Sequence, residues 1–179
     1  MKRVILGIVA AAATAFAAHA ADVKPAVIYD MGGKFDKSFN EAAYNGAELW
    51  KKETGAEYRE FEISDAAQRE QALRRFAQDG NQPIVAMGFA QAAAVEKVAK
   101  EFPDVKFAII DMVVDLPNVR SIVFKEQEGS YLVGIMAAMA SKTGKVGFVG
   151  GMDIPLIRRF GCGYVGGVKA ANPSAEVFE

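Results

Sequence analysis

Residues 29–41 read YDMGGKFDKSFNE, and this stretch decides the predicted fold. An apolar run ends at Asp30, two glycines follow, and a helix is predicted to begin at Ser38. Ser38 and Glu41 have the spacing of a capping box, in which each side chain accepts a hydrogen bond from the backbone N–H of the other residue. The pattern therefore predicts a strand, a loop, and a helix whose free N–H groups point toward the loop.

Candidate ligand-binding residues lie at this junction, because an open parallel sheet binds small molecules where its strands end and the following loops converge. The candidates are Asp30, Ser38, Phe39 and Asn40. In one interpretation the Phe39 ring stacks on a flat ligand while Asp30 and Asn40 hydrogen-bond its polar edge. In the other, Phe39 fills the base of the sheet and Asn40 assists the helix cap. These residues alone do not decide between the two.

The first 20 residues have the pattern of an export signal. Lys2 and Arg3 are followed by an apolar stretch over 4–18 and by an A-x-A cleavage site at 18–20. We therefore predict a signal peptide over residues 1–20 and a mature protein in the periplasm. No cysteine lies at the junction, so cleavage without a lipid anchor is expected.

Charge and histidine content exclude several classes of function. Removing Lys2 and Arg3 from the 21 basic residues leaves 19 against 22 acidic residues, which argues against nucleic-acid binding. The only histidine, His19, lies in the predicted signal, so histidine triads and histidine-bearing zinc sites are excluded from the mature chain. Cys162 is the only cysteine and is expected to be a small buried residue. No metal and no cofactor is predicted.

Strand-like and helix-like segments alternate along the chain, which is typical of a parallel sheet with crossover helices. We predict an α/β fold with a doubly wound parallel sheet. Predicted strands lie near 25–30, 57–63, 83–88, 105–110, 119–124, 145–150 and 175–178. Predicted helices lie near 38–53, 66–79, 90–101, 128–142 and 155–171.

The strand–glycine–helix pattern of the opening repeats weakly from residue 146, after a crossover near 124–127. Residues 21–124 are therefore predicted to form a first α/β lobe and residues 125–179 the start of a second. A doubly wound domain needs four or five strands, so the second lobe is expected to be truncated.

Three segments of the chain resemble the basic membrane protein family of substrate-binding proteins, whose best-known members are purine nucleoside receptors. They are residues 30–40, 128–134 and 147–160, in the expected order. The resemblance implies a type I periplasmic binding protein, in which two lobes close on a ligand and deliver it to an ABC importer. It implies a nucleoside ligand, a permease partner in the inner membrane, a monomer when full length, and no enzymatic activity.

The same resemblance implies roles for individual residues. The four candidates at the first junction line the first-lobe wall of the cleft, with Phe39 as one stacking ring. Asp111, which ends a predicted strand, is similar to a carboxylate that reads the base from the same wall. Arg158 lies in a segment at the cleft mouth and reaches the ligand or the opposite lobe.

Phe89 follows the third predicted strand at the same edge of the sheet. It is interpreted either as a second wall of the pocket or as a core residue, and both interpretations stay open. The six residues 161–166 read GCGYVG and match the dinucleotide-binding pattern. They do not follow a strand, so packing of a helix against the sheet is predicted instead.

Two other functions remain as alternatives. Asp30, Asp36 and Asp111 could gather around a divalent cation, as in an exported metal-dependent nucleoside hydrolase. The chain could also be a ligand-sensing domain that signals to a membrane receptor.

Overall fold

The structure is a computed structural model that describes residues 23–178. The predicted signal peptide, residues 1–20, lies outside the described residues. The chain divides into two compact units, of which the first ends at Ile122 and the second begins at Val123. Within 23–178, no helix is both long enough and apolar enough to cross a bilayer.

The first unit is built on a five-stranded sheet in which every neighbouring pair is parallel. Across the sheet the strands lie in the order β2 (Arg59–Glu62), β1 (Ala26–Tyr29), β3 (Ile84–Ala86), β4 (Phe107–Ile110) and β5 (Val119–Ile122). The chain moves outward from β1 to β2, returns to β3 on the other side of β1, and continues outward to β5. This is the doubly wound topology, as predicted. In chain order the elements are β1 (Ala26–Tyr29), α1 (Phe39–Thr54), β2 (Arg59–Glu62), α2 (Gln68–Gln78), β3 (Ile84–Ala86), a 3-10 turn (Phe89–Gln91), α3 (Ala92–Glu101), β4 (Phe107–Ile110) and β5 (Val119–Ile122).

The sheet buries apolar side chains on both faces. On one face Ile28 and Ile84 belong to a buried cluster with Leu73 of α2 and Val98 of α3. On the other face Val27, Tyr29 and Met87 pack with residues of α1. Successive side chains of a strand point to opposite faces, so a strand covered on both sides reads as the continuous apolar run seen before Asp30.

The second unit contains two helices and a parallel pair of strands. Its elements are α4 (Glu126–Ala140), β6 (Lys145–Gly147), α5 (Pro155–Ala171) and β7 (Glu176–Phe178). Helix α4 begins two residues before the predicted position. Its first residue, Glu126, is buried and accepts hydrogen bonds from both Nε and Nη2 of Arg159, which fixes the first turn of α4 against α5.

Glycines bring α4 and α5 into backbone contact. A Cβ at Gly134 would lie 2.1 Å from the Tyr164 carbonyl oxygen, one at Gly163 would lie 2.3 Å from that of Gln127, and one at Gly167 would lie 1.9 Å from that of Tyr131. The GCGYVG motif lies inside α5 and not between a strand and a helix, so it is not a dinucleotide-binding loop. Gly163 does serve close packing, but its partner is the backbone of α4, so the predicted packing against the sheet was wrong for this glycine.

Cys162 is exposed, so the expectation that it is buried was wrong. Its two neighbours in α5, Gly161 and Gly163, face the Phe148 ring and α4 respectively. Cys162 instead lines an open cleft of the second unit together with Arg158, one helical turn before it.

Candidate ligand-binding site

The register of the sheet brings two predicted positions, Asp30 and Asp111, to one level. Ile28 of β1 pairs with Ala86 of β3, and Ala86 pairs with Ile109 of β4. Two residues beyond this row, where the strands have ended, lie Asp30, Gly88 and Asp111. The chain leaves β1 and β3 in opposite directions, so their loops separate here, at the topological switch point where doubly wound sheets bind ligands.

The Asp30 carboxylate is held from two sides. Oδ1 accepts a hydrogen bond from Arg69 Nη2 at 3.2 Å, and both side chains of this ion pair are mostly buried. On the other side, a Cβ at Gly88 would lie only 2.8 Å from Asp30 Oδ2, so the carboxylate rests against the backbone of the loop after β3. Sequence reasoning missed Arg69, which lies 39 residues from Asp30 and matches no motif.

Asn40 is 1% exposed and fixes the loop after β1. Its Oδ1 accepts from the Asp30 N–H at 3.1 Å, and its Nδ2 donates to the carbonyls of Asp30 and Gly33, each at 3.1 Å. Both ends of the carboxamide are therefore bonded to backbone. Asn40 therefore fixes the backbone of Asp30.

The cap of α1 is Asp36, and the predicted capping box was wrong. The Ser38 side chain makes no capping bond. Asp36 Oδ1 accepts from the N–H groups of Ser38 and Glu41, and Oδ2 accepts from that of Asn40. Glu41 accepts from the Lys37 N–H instead of that of Ser38. Two of the N–H groups predicted to be free for a ligand, those of Asn40 and Glu41, are therefore already bonded.

These bonds change the acidity of Asp36. The N–H groups of Asn40, Glu41 and Ser38, of which that of Asn40 has the largest effect, hold the pKa of the carboxyl below its ordinary value. A carboxylate that accepts several backbone hydrogen bonds is stabilised in its charged form. Asp36 therefore serves as a charged helix cap.

The two candidate rings are each half-buried. Phe39 packs against the cluster of Val27, Tyr29 and Met87, so it contributes to the core while part of its surface stays exposed. Phe89 begins the 3-10 turn that follows β3. Ser38, between the Asp36 cap and α1, is exposed.

Asp111 is half-buried directly after β4 and has a left-handed backbone, with φ of +68°. Its N–H donates to the Ile122 carbonyl at 2.9 Å, which continues the pairing of β4 with β5. Aspartate adopts this conformation more readily than most residues. Non-glycine residues in such conformations occur often at functional sites.

Gln91 is a second residue that sequence reasoning missed. It is fully buried, and its Nε2 donates to the carbonyls of Ile28 and Met87, at 3.1 and 2.9 Å. It therefore ties the ends of β1 and β3 together beneath the switch point. Within residues 23–178, Gln91 Oε1 and Arg69 Nε are the two buried side-chain polar atoms without a hydrogen-bond partner.

Arg158 belongs to the second unit. Its Nε and Nη2 donate to the two carboxylate oxygens of Asp153, at 2.5 and 2.8 Å, and both side chains are exposed. Asp153 raises the pKa of Arg158, chiefly through this hydrogen bond. Both residues, with Phe148 and Met152, line an open cleft of about 510 Å³.

The carboxylate cluster that the hydrolase alternative requires is not formed by the described residues. In the part of the chain that the structure describes, no three acidic, cysteine or histidine side chains are grouped so that they could hold a metal ion. The two oxygens of Asp36 are instead occupied by backbone N–H groups. The geometry therefore gives no support to a metal-dependent hydrolase.

Comparison with protein families agrees with the fold and identifies the family. A family model described as "ABC transporter substrate-binding protein PnrA-like" (Bmp) matches residues 23–178. The chain belongs to the Bmp family. This confirms the resemblance found in the sequence. The Bmp family is one of substrate-binding proteins.

Two curated members of the family illustrate the match. A Lactococcus lactis protein named "ABC transporter nucleoside-binding protein BmpA" is 37% identical over 161 residues, which are 87% of this chain and 46% of the relative. A Pyrococcus furiosus protein named as an uncharacterised lipoprotein is 37% identical over 172 residues, which are 93% of this chain and 43% of the relative. The chain thus spans about half the length of these relatives.

A solved structure extends the match to three dimensions. A solute-binding protein of an ABC transporter system from Aeropyrum pernix superposes with a TM-score of 0.78 at 36% identity, over 87% of this chain and 46% of that one. The predicted fold class, an α/β type I periplasmic binding protein, is confirmed.

Proposed function

We propose that this Bmp-family chain is the substrate-binding part of an ABC importer and that its ligand is a purine nucleoside or a related flat, polar molecule. One observation carries the proposal. At the switch point of the sheet, a carboxylate held in place at Asp30 stands at the same edge as the half-exposed rings of Phe39 and Phe89.

The chemistry of this edge fits a nucleoside. Stacking on an aromatic side chain contributes about 1 to 3 kcal/mol per base. A carboxylate accepts hydrogen bonds from the N–H and O–H groups of a nucleoside, and a ligand that leaves such an acceptor unpaired loses affinity. The name of the Lactococcus lactis relative supports the same ligand class.

The remaining candidates receive roles within this proposal. Asp111 reads polar groups of the ligand from β4, and Ser38 offers a hydroxyl at the start of α1. Asn40 holds the loop that carries Asp30. Arg158 stays a candidate ligand contact of the second unit, where Asp153 accepts hydrogen bonds from its Nε and Nη2.

The proposal also includes a cellular location and a partner protein. We infer that the protein works in the periplasm, as a monomer when full length, and delivers its ligand to a permease in the inner membrane. The competing arrangement is a lipid anchor in the membrane, as the name of the Pyrococcus furiosus lipoprotein suggests for that relative. The mass of the protein purified from an exporting host distinguishes the two, because cleavage without lipid gives a chain that begins at Ala21.

Saturation-transfer NMR tests the ligand class, because it detects weak binding even when a protein self-associates. The mature chain is mixed with inosine, and with ribose as a matched ligand that lacks the base. We expect saturation of the base protons of inosine and less of its ribose protons. Asp30→Asn should reduce the signal, while Asn45→Ala, an exposed change on α1, should not. Equal signals from inosine and ribose would contradict the proposal.

The same sample separates a binding protein from a hydrolase. A binding protein returns inosine intact after long incubation, and a chelator leaves the saturation signal unchanged. Free hypoxanthine, or a signal that chelator removes, would favour the enzyme.

A further inference from the structure

We infer that Arg69 is the positioning residue for the Asp30 carboxylate, and this inference rests on the proposed function of the site. Arg69 lies in the first turn of α2, while Asp30 follows β1. Among residues 23–178, the 3.2 Å bond from Arg69 Nη2 to Asp30 Oδ1 is the only hydrogen bond to the Asp30 side chain.

Arg69 completes a hold on Asp30 that comes from three elements. Asn40 of α1 bonds the N–H and the carbonyl of Asp30, which fixes its backbone. Gly88 closes the space beside Oδ2. Neither contact stops rotation of the carboxylate away from Gly88, and the bond from Arg69 to Oδ1 supplies that restraint.

Arg69 is itself held in place. Gln68 Oε1 accepts from the N–H groups of Ser64 and Asp65, and Asp65 Oδ1 accepts from the N–H of Ala67. This reciprocal arrangement fixes the start of α2. The Arg69 side chain is 12% exposed, so it has little room to adopt other rotamers.

The pair also sets the charge of the ligand that the site accepts. A guanidinium and a carboxylate in contact carry no net charge together, so a cationic ligand at Asp30 would also be repelled by the guanidinium of Arg69. The arrangement therefore favours a neutral donor of hydrogen bonds, such as a nucleoside, over a cationic ligand.

The first arm of the test needs no ligand. Three-bond couplings from Cγ of Asp30 to its backbone N and carbonyl carbon report whether its side chain occupies one rotamer. We expect one rotamer in the wild-type chain, averaging in Arg69→Met, and a return toward one rotamer in Arg69→Lys. Arg75→Met removes an exposed arginine from the same helix and should change nothing. Unchanged couplings in Arg69→Met would overturn the inference.

The second arm measures inosine binding in a double-mutant cycle. We expect Arg69→Met to weaken binding about tenfold in the wild-type background and less than about twofold when residue 30 is already changed to Asn, because coupled residues are non-additive. Equal losses in both backgrounds would show that Arg69 does not act through Asp30. If the wild-type chain does not bind inosine while the couplings average as expected, the proposed ligand fails and the positioning role stands.

Discussion

The carboxamide of Asn40 hydrogen-bonds both backbone polar groups of Asp30, accepting from its N–H and donating to its carbonyl, each at 3.1 Å. One buried side chain thus fixes the residue that carries the proposed binding site. A third bond, to the Gly33 carbonyl, fixes the glycine pair that follows.

Asn40→Ala should therefore destabilise the first unit. The change removes the partner of the Asp30 N–H and of the carbonyls of Asp30 and Gly33, which are half-buried, so we expect a total loss of about 1 to 3 kcal/mol. Urea denaturation followed by the fluorescence of Trp50, the single tryptophan, measures the loss. Asn45→Ala, on the exposed side of the same helix, is the control and should have little effect. A similar midpoint for both variants would contradict the role given to Asn40.

Phe39→Leu separates stacking from packing. Leucine keeps much of the apolar contact with Val27, Tyr29 and Met87, so the loss of stability should stay below about 1.5 kcal/mol. Loss of the ring should weaken inosine binding by about 1 to 3 kcal/mol. Phe35→Leu changes an exposed ring in the loop before α1 and is the control. A large loss of stability with unchanged binding would make Phe39 a core residue only.

Gly88→Ala should damage both stability and binding. Gly88 has φ of +96°, and a methyl group there would lie 2.8 Å from Asp30 Oδ2. The backbone strain alone costs about 1 to 3 kcal/mol, and the carboxylate must move as well. Thermal unfolding and inosine titration measure the two effects.

Gly46→Ala is the matched control for that change. Gly46 lies within α1, and the space that an added methyl group would occupy is open, so alanine there should stabilise the chain by about 0.5 to 1 kcal/mol. If both alanine variants behave alike, the argument from the geometry of Gly88 is wrong.

Gly167→Ala should separate α4 from α5. The added methyl would overlap the Tyr131 carbonyl, and neither backbone can yield without moving a helix. Hydrogen exchange should become faster in 126–171, while the unfolding curve of Trp50 in the first unit stays in place. Gly129→Ala, in α4 with open space around it, should leave exchange unchanged or slow it. Unchanged protection in Gly167→Ala would refute the close approach.

The Asp36 cap predicts a specific dependence of stability on pH. Its pKa is lowered by hydrogen bonding in the folded chain, so its stabilisation is fully present above the unfolded value, about 3.9, and is lost as the pH falls through the lower folded value. Asp36→Asn should flatten the loss of stability below that pH. Urea midpoints measured across the acidic range for both proteins test this. Parallel curves would show that Asp36 is not a charged cap.

The fold could be predicted because local patterns determine it. The apolar run before Asp30 is typical of a strand covered on both faces, and the glycines that follow mark where it ends. Every predicted strand and helix of residues 23–178 is found, with ends that differ by a few residues. Two Asp residues that end strands, Asp30 and Asp111, could be placed at one edge because parallel strands end together.

The contacts inside the site could not be predicted in the same way. Arg69 reaches Asp30 only because α2 packs on the sheet with its first turn at that edge, and no local pattern encodes this. Ser38 and Asp36 are both acceptable caps in sequence, and the choice depends on the path of the loop. Phe39 packs on the core and also keeps part of its ring exposed. The two interpretations of Phe39, as a stacking ring and as a core residue, are therefore not exclusive.

The bonds that Gln91 makes to the carbonyls of Ile28 and Met87 have a consequence for the thermodynamics of binding. They join the two strand ends that diverge at the switch point, and Asn40 holds the loop above one of them. A ligand that arrives at this edge meets a surface whose conformational entropy has already been lost during folding. Since ordering of loops and side chains is a main cost of association, a small ligand with few polar groups can be retained there by a limited number of contacts.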